Sequence, residues 1–392
     1  MLLELFIWGA WFPVVADYMK HGLGFDEAQR GWVFNAFAAA SITAMLFSTP
    51  FVDRRFAAEK FLAVSHLIGG LAMIGLAFIR DFWPFFGLML VHSLFYVPTL
   101  SIANSLAFSH LGDAKREFGV VRMGGTVGWI LAAWPLFFIL RGRQGADAVP
   151  LTASVFLVAG VASLVLAAYC RTLPHTPPVG ATRSGFAWVD AAKLLRLPFL
   201  LVLFVVTFVD AAVHQGYFLF TYQFLGEVGI GEEWRMPVMS LGQVAEIATM
   251  AVLGSVLRAL GWRWTMTLGV LGHAVRFSVF ALLPDRPELV VAVNLLHGVC
   301  YAFFFATVYI FVDEYFPKHT RATAQGLFNF LILGAGPFAG NVVWHAVQAE
   351  YTVDGDTDFT RLFTVLAGTA LAAAVVLAVA FWPPRLPPQE AG

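Results

Sequence analysis

Charged side chains are scarce in this sequence. Asp, Glu, Lys and Arg make up 12% of its 392 residues, 59% are hydrophobic, and the mean hydropathy is +0.76. Soluble domains hold about 25% charged residues, so the composition excludes an ordinary water-soluble fold. The net charge is -1, so we expect no basic surface for nucleic acid and no acidic tail. The expected surroundings of the protein are the lipid bilayer.

Cysteines and reactive motifs are equally sparse. Cys170 and Cys300 lie far apart in apolar segments, which argues against a disulfide framework or a thiolate metal site and predicts two packing residues. No metal-ligand cluster, nucleophile-base set or Gly-rich phosphate loop stands out. We therefore expect no metal, no cofactor, no enzyme activity and no use of ATP.

What the sequence does contain is long apolar runs, each of about the 20 residues that a helix needs to cross a bilayer. Backbone in lipid is helical or part of a closed barrel, and these runs are too long for barrel strands. The prediction is an all-α polytopic membrane protein with twelve transmembrane helices. Predicted spans 1 to 12 cover residues 2–20, 30–52, 60–80, 83–110, 118–140, 150–170, 197–225, 236–258, 263–283, 288–316, 321–349 and 360–382.

The first span could be mistaken for a signal peptide. It has no basic region before its apolar residues and carries Glu4 there instead. We expect it to be a membrane helix that stays attached.

The longest polar gap, residues 171–196, is rich in Pro and Gly and divides the chain. It predicts an N-terminal six-helix bundle at 1–170, a linker at 171–196 and a C-terminal six-helix bundle at 197–392. The linker, the tail and the gaps after spans 2, 4, 8 and 10, counted with their flanking residues, hold 14 Lys and Arg against 8 in the other gaps. This bias predicts a multi-pass protein of the inner membrane with the linker and both termini in the cytoplasm.

Motifs recur between the two parts of the chain. Span 4 contains His92 and Tyr96, and span 10 repeats the H-x-x-x-Y spacing 205 residues later. Spans 5 and 11 each begin with an Arg followed by a polar residue at i+4 and an aromatic residue at i+7, on one helix face. These residues are Arg122, Thr126 and Trp129, then Arg321, Gln325 and Phe328, 199 residues apart. The two offsets indicate a parallel repeat of six-helix halves, as in the major facilitator transporters.

Glu246 lies midway along predicted span 8, where a charge costs about 3 kcal/mol on insertion scales. Gln243 lies on the same face, so the two offer an amide and a carboxyl to a polar solute. A carboxyl buried in apolar surroundings takes up a proton more readily than in water, as proton coupling requires. The alternative is a protonated carboxyl that only bonds a neighbouring helix.

Arg122 lies about one turn inside span 5, and Thr126 and Trp129 extend its face toward the middle of the membrane. A guanidinium suits recognition of a planar or hydroxylated solute, and an indole offers a stacking surface. The alternative is an Arg side chain that reaches back to the membrane interface.

Span 7 carries Asp210 and His214 one turn apart, where they can share a proton or simply satisfy each other. Gln215 and Phe218 follow directly. Arg276 in span 9 is expected to be structural.

Six segments together resemble the nucleoside:proton symporters of the major facilitator superfamily. They are "FIWGAWF" in span 1, "FYVPTLSIANSLAF" in span 4, "VRMGGTVGW" in span 5, "GQVAE" in span 8, "YAFFFATVYIFVDE" in span 10 and "RATAQGLFNF" in span 11.

The resemblance implies a twelve-helix importer that alternates access, carries a nucleoside with a proton and functions as a monomer. It also implies that substrate-binding side chains lie on spans 5, 7, 8 and 10. At matching positions this chain has Arg122, Thr126, Trp129, Gln215, Phe218, Gln243, Glu246 and Tyr301.

Two positions depart from the family pattern. Phe218 stands where an amide is expected, and Ala302 stands where the family often has an Asp that serves in the site. We therefore expect Glu246 to be the proton-coupled residue, with Asp210 partly replacing the missing carboxylate.

The sequence accordingly predicts a proton-coupled secondary transporter that imports nucleosides. A major facilitator carrier for a sugar or another small polar solute, without proton coupling, is the nearest alternative. A polytopic membrane enzyme would need a reactive constellation that the sequence does not offer. A sensor without transport is a third alternative, and for that role the sequence shows no appended soluble domain.

Overall fold

The protein is almost entirely helical in the computed structural model, which describes residues 1–43, 56–110, 114–143, 148–177, 196–316, 324–325 and 327–383. The predicted all-α class is confirmed. Most of the linker, at 178–195, and Arg321 lie outside the described residues. The helices are α1 (Leu2–Gly22), α2 (Glu27–Thr43), α3 (Ala58–Leu76), α4 (Phe82–His110), α5 (Ala114–Leu140), α6 (Pro150–Cys170), α7 (Pro198–Glu227), α8 (232–260), α9 (262–282), α10 (Pro287–Tyr315), α11 (Leu327–Glu350) and α12 (Phe359–Ala380).

Ten candidate membrane spans are present by length and hydropathy among the described residues. One of them, Glu232–Leu282, runs through α8 and α9 and is broken at Gly261, where φ is 69° and ψ is 176°. Glycine adopts that backbone without strain, so the chain changes direction there. The 17 residues of α2 end where the description of the chain stops. The exact number of twelve spans, and the division into two six-helix bundles, therefore stay predictions.

Side-chain hydrogen bonds cap the first turns of two helices. A reciprocal capping box starts α2 three residues before the predicted span, since the Gln29 amide donates to Asp26 Oδ1 at 2.8 Å and the Asp26 amide to Gln29 Oε1 at 3.0 Å. Asp358 caps α12 through the Arg361 amide at 3.0 Å. Between α11 and α12, a short hairpin pairs β1 (Thr352–Val353) with β2 (Asp356–Thr357).

Large apolar side chains cover the outer surface of the helices as well as the core. Exposed examples, each more than 45% accessible, are Leu67, Leu71, Val161, Val165 and Leu371. In water such a surface would be unstable, whereas in a bilayer it faces lipid. Cys170 and Cys300 are free and buried, which confirms the prediction that they are packing residues.

Two glycines let helices approach at backbone distance. A Cβ on Gly298 of α10 would collide with the backbone nitrogen of Glu246 on α8, and a Cβ on Gly128 of α5 would collide with the carbonyl of Leu2 on α1. Small residues at such crossings allow close helix packing in membranes. The α8–α10 crossing therefore places the backbone of Glu246 directly against α10 at Gly298.

Within α10 the backbone widens into a π-helical turn at Tyr301–Ala306, and α11 has a similar turn at Phe330–Ala335. Such wide turns are frequent at functional sites because they re-aim side chains. The turn in α10 begins at one of the residues predicted to bind substrate, Tyr301.

We predict that Gly298→Ala lowers the thermal midpoint of the detergent-solubilised protein. An added methyl group must push α8 and α10 apart, and overpacking of this kind costs about 1–3 kcal/mol. The matched control is Gly368→Ala on α12, where a Cβ would meet nothing within 4 Å. There the substitution is expected to leave the midpoint unchanged or raise it, because Ala favours a helix by about 1 kcal/mol over Gly. Equal midpoints for the two variants would contradict the close approach.

Candidate functional site

The polar residues predicted on α5 and α8 meet. The Thr126 hydroxyl forms a hydrogen bond with the Glu246 carboxyl, and Arg122 lies close enough to interact electrostatically with the same carboxyl. Thr126 is buried, while Arg122 and Glu246 are partly buried. The side chains of Arg122, Thr126 and Glu246 therefore lie together, although α5 and α8 are distant in sequence.

Tyr301 on α10 joins this group. The Arg122 guanidinium donates a hydrogen bond to the Tyr301 side chain, and the Tyr309 side chain lies within electrostatic range of Arg122. Tyr309 in turn donates to Asn329 Oδ1 of α11 at 2.6 Å. Arg122 is thus bound to α10, and this contact favours a role inside the bundle over an Arg side chain that reaches only for the membrane interface.

Aromatic rings form a second surface. Trp129 of α5 and Phe218 of α7 meet edge to face with centroids 5.9 Å apart. Two rings of α1 extend this surface, since Trp8 lies 5.4 Å from Trp129 and Phe12 lies 5.2 Å from Phe218. Edge-to-face pairs are favourable and leave ring faces for stacking. Trp8 and Phe12 were not among the predicted site residues, although both belong to the segment "FIWGAWF" that carries part of the family resemblance.

A chain of side-chain amides connects the predicted site residue Gln215 of α7 with α2, which precedes the linker. Gln215 Nε2 donates to Asn341 Oδ1 of α11 at 2.9 Å, and Asn341 Nδ2 donates to Asn35 Oδ1 of α2 at 3.1 Å. All three side chains are at most 7% exposed. Asn35 and Asn341 were missed by sequence reasoning, and the available signal was the presence of Asn within these apolar runs, one in span 2 and two in span 11.

Gln243 is buried beside the α8–α10 crossing. Its Oε1 has no hydrogen-bond partner among the described residues. A buried amide oxygen without a partner is uncommon because it loses its hydrogen bonds to water. Gln243 therefore has an acceptor free for a ligand or for water.

Asp210 is separate from these residues. Neither of its oxygens accepts a hydrogen bond from a described residue, and the His273 ring of α9 faces it, with 3.8 Å between Oδ2 and Nε2. The expected hydrogen-bonded pair with His214 is therefore absent from the described residues. His214 instead packs its ring against His297 and Phe218, with centroids at 4.9 and 5.4 Å.

Ala302 is completely buried at the π-helical turn of α10. Its methyl group supplies no hydrogen bond and no charge. Glu246 is therefore the carboxyl that α8 and α10 present to Arg122 in the described part of the chain.

The comparison with family models identifies one family. The model described as "Nucleoside H+ symporter" matches residues 1–385. The chain is 34% identical over 347 residues to a putative nucleoside transporter, YegT, of Escherichia coli (strain K12), covering 87% of this chain and 81% of that protein. It is 27% identical over 398 residues to a xanthosine permease of the same organism, covering 97% and 93% of the two chains.

A solved structure has the same fold. A mutant of the nucleoside transporter NupG superposes with a TM-score of 0.88 at 25% identity, covering 97% of this chain and 98% of that chain. The match along nearly the whole length confirms the major facilitator fold that the sequence predicts.

We predict that Asn341→Ala destabilises the protein by about 1–3 kcal/mol, because it strips a hydrogen bond from two buried amides, Gln215 and Asn35. Thermal unfolding in detergent, compared with Val342→Ala on the outer surface of the same helix, measures the effect. Val342 is 52% exposed, so its truncation is expected to shift the midpoint less. Indistinguishable midpoints would show that the amide chain contributes no stability.

Proposed function

The chain belongs to the nucleoside H+ symporter family, and we propose that it imports nucleosides together with protons, without ATP, as a secondary active transporter of the major facilitator fold. The observation that carries this proposal is the convergence of Arg122, Thr126, Glu246 and Tyr301 from three helices. A nucleoside has a flat base and a hydroxylated sugar, and these residues match both with donors, acceptors and nearby aromatic rings.

Each predicted residue has a role in the proposal. Arg122 and Gln215 bind polar groups of the base or ribose, and Trp129 and Phe218 stack on the base. Gln243 and Tyr301 bind hydroxyl groups, and Thr126 orients the Glu246 carboxyl through their hydrogen bond. Oε1 of Gln243 supports this assignment, because no described residue donates to it and a ribose hydroxyl can.

Glu246 is the proposed proton-coupled residue, with Asp210 as a second one. A carboxyl in an apolar surrounding holds a proton that it would lose in water, unless a cation approaches it. Arg122 is that cation, and it is shared with Tyr301. A substrate that binds Arg122 therefore changes how strongly the guanidinium stabilises the ionised form of Glu246. In this way substrate binding is coupled to uptake or release of the proton.

Alternating access needs contacts between the helices before and after the linker that can open at one end. Arg30 Nη2 lies 3.4 Å from Gln348 Oε1, and the rings of Phe137 and Trp234 lie 4.9 Å apart. In the proposed orientation, with both termini in the cytoplasm of a cell with an inner membrane, these contacts lie at the outer end. The two halves are proposed to rock about the site, and the monomer is the proposed working unit.

A second candidate cargo is a sugar or another small polar solute. The observation that favours it is the departure from the family pattern at two positions, where the Phe218 ring replaces an amide and the buried methyl group of Ala302 replaces a carboxylate. The architecture and the alternating mechanism are the same in both cases.

We predict that Glu246→Gln abolishes proton-driven accumulation but retains exchange of labelled nucleoside in proteoliposomes. The Gln oxygen can still accept a hydrogen bond from Thr126, but the amide cannot exchange the proton. At one proton per nucleoside, a pH difference of one unit sustains about tenfold accumulation, since both correspond to about 1.4 kcal/mol. The variant is expected to equalise the two concentrations.

The matched control is Glu288→Gln, which removes an exposed carboxyl at the start of α10. It should accumulate substrate like the unchanged protein. Accumulation by Glu246→Gln at the wild-type level would refute the assigned role.

We also predict that nucleosides, and not sugars, raise the thermal midpoint of the purified protein. A ligand at 100 times its Kd stabilises the folded state by about 2.7 kcal/mol through mass action. Arg122→Ala should abolish the shift. A shift caused by sugars alone would favour the second candidate cargo.

A further inference from the structure

Two clusters of buried ionisable side chains occupy corresponding positions in the two parts of the chain. Each contains a carboxylate and two histidines, and the members are separated by 205 to 207 residues, close to the offset of the H-x-x-x-Y motif. The first cluster is Glu4 of α1, His66 of α3 and His92 of α4, and the second is Asp210 of α7, His273 of α9 and His297 of α10.

The first cluster is fully hydrogen-bonded at its carboxylate-histidine pair. His66 Nε2 lies 3.0 Å from Glu4 Oε2, and the Thr99 hydroxyl donates to Glu4 Oε1 at 2.5 Å. The other ring nitrogen of His66 lies 3.3 Å from the Ser163 hydroxyl. Both carboxylate oxygens and both ring nitrogens thus have partners, which holds the pair in one arrangement.

The second cluster is left open. Asp is one methylene shorter than Glu, and His273 Nε2 stays 3.8 Å from Asp210 Oδ2, beyond hydrogen-bond distance. Both Asp210 oxygens and His273 Nε2 lack hydrogen-bond partners among the described residues, and both side chains are completely buried. Burying a carboxylate without partners is costly, so this arrangement is poor as a purely structural contact.

Arg276 adds a cation to the second cluster at the position that Gly69 has in the first. Its Nη1 lies 2.9 Å from His297 Nδ1, and its Nη2 lies 2.9 Å from His273 Nδ1. A guanidinium only donates, so both Nδ1 atoms accept and both neutral rings carry their proton on Nε2. A neutral imidazole therefore separates the guanidinium from the Asp210 carboxylate, and the ionised cluster has no net charge.

We propose that Asp210 and His273 form a proton-exchange site, that Arg276 and His297 position it, and that Glu4 and His66 are its structural counterpart. The transport role of this site rests on the proposed function. A proton from water binds a carboxylate oxygen of Asp210, and the cluster then has one net positive charge. An unbalanced charge in this apolar surrounding is unfavourable, so the two protonation states favour different packing of α7, α9 and α10.

His297 connects this cluster to the substrate site. Its ring lies 5.7 Å from Phe218 in an edge-to-face contact. A Cβ on Gly242, next to Gln243, would lie 2.7 Å from the His297 Cβ. If His297 moves together with Arg276, its ring therefore presses on Phe218 and on α8, the helix that carries Glu246.

Other ionisable groups also face the cluster. The Arg276 guanidinium lies 4.1 Å from the centroid of the Tyr217 ring, and the His214 and His273 rings are 5.4 Å apart. The Cys300 thiol of α10 lies within electrostatic range of Arg276 and Asp210. Both His214 and Tyr217 belong to α7, the helix that carries Asp210.

The protonation of Asp210 is tested without any substrate by infrared difference spectra of the reconstituted protein between acidic and alkaline pH. A carboxyl C=O band that disappears in Asp210→Asn and persists in Glu4→Gln supports the site. In Arg276→Gln that band should persist to more alkaline pH, because the nearby cation is gone. The proposal is overturned if the band is unchanged in Asp210→Asn. It is also overturned if the band of Arg276→Gln disappears at the same pH as in the unchanged protein.

The coupling is tested by the double variant Asp210→Asn with Arg276→Gln, which removes both charges and leaves none unpaired. We expect exchange of labelled nucleoside to persist and accumulation driven by a pH gradient to be lost, whereas Glu4→Gln retains both. Full accumulation by the double variant would overturn the coupling role. Failure of the unchanged protein to exchange nucleosides would instead contradict the proposed function, and the infrared spectra would still decide whether Asp210 exchanges a proton.

Discussion

A charge within a bilayer has to find its partner inside the protein, because lipid offers none. Arg122 and Glu246 meet this constraint across the division of the chain: the guanidinium binds Tyr301 and the carboxyl binds Thr126. Since each bond joins α5 to α8 or α10, the site exists only while these helices lie together. A solute that replaces one of these bonds acts directly on the contact between the two parts of the molecule.

The close approach of α8 and α10 at Gly298 serves the same site. It places the backbone of Glu246 against α10, where the π-helical turn presents Tyr301. On the other side, the amide chain through Asn341 ties Gln215 of α7 to α2. Several of the residues proposed to bind substrate, such as Arg122 and Gln215, therefore also hold the helices together.

The repeat within the chain shows how similar positions can acquire different properties. Glu4 is long enough to reach His66 and accept from Thr99, whereas Asp210 stops 3.8 Å from His273. One methylene group and the exchange of Gly69 for Arg276 convert a closed pair into a charged cluster whose carboxylate oxygens have no hydrogen-bond partner in the described part of the chain. The sequence shows both substitutions, but their meaning depends on the distance that the helices leave between the side chains.

Sequence reasoning identified the membrane class, the family and the residues Arg122, Thr126, Gln243 and Glu246 on their helix faces, because helical periodicity and the cost of polar groups in lipid are local properties. It did not find Asn35, Asn341, Trp8 or Phe12, and it gave Asp210 the wrong partner. Those contacts join side chains that are 63 to 306 residues apart in the chain, as for Asp210 with His273 and Asn35 with Asn341.

The sequence by itself thus determined that the chain lies in a membrane, which faces of its helices are polar and to which family it belongs. Only the tertiary structure decided that Arg122 turns to Tyr301, that Asp210 faces His273, and that Arg276 lies inside the bundle between two histidines. The physical reason is that periodicity fixes the direction of a side chain on its own helix, whereas its partner depends on how the helices pack.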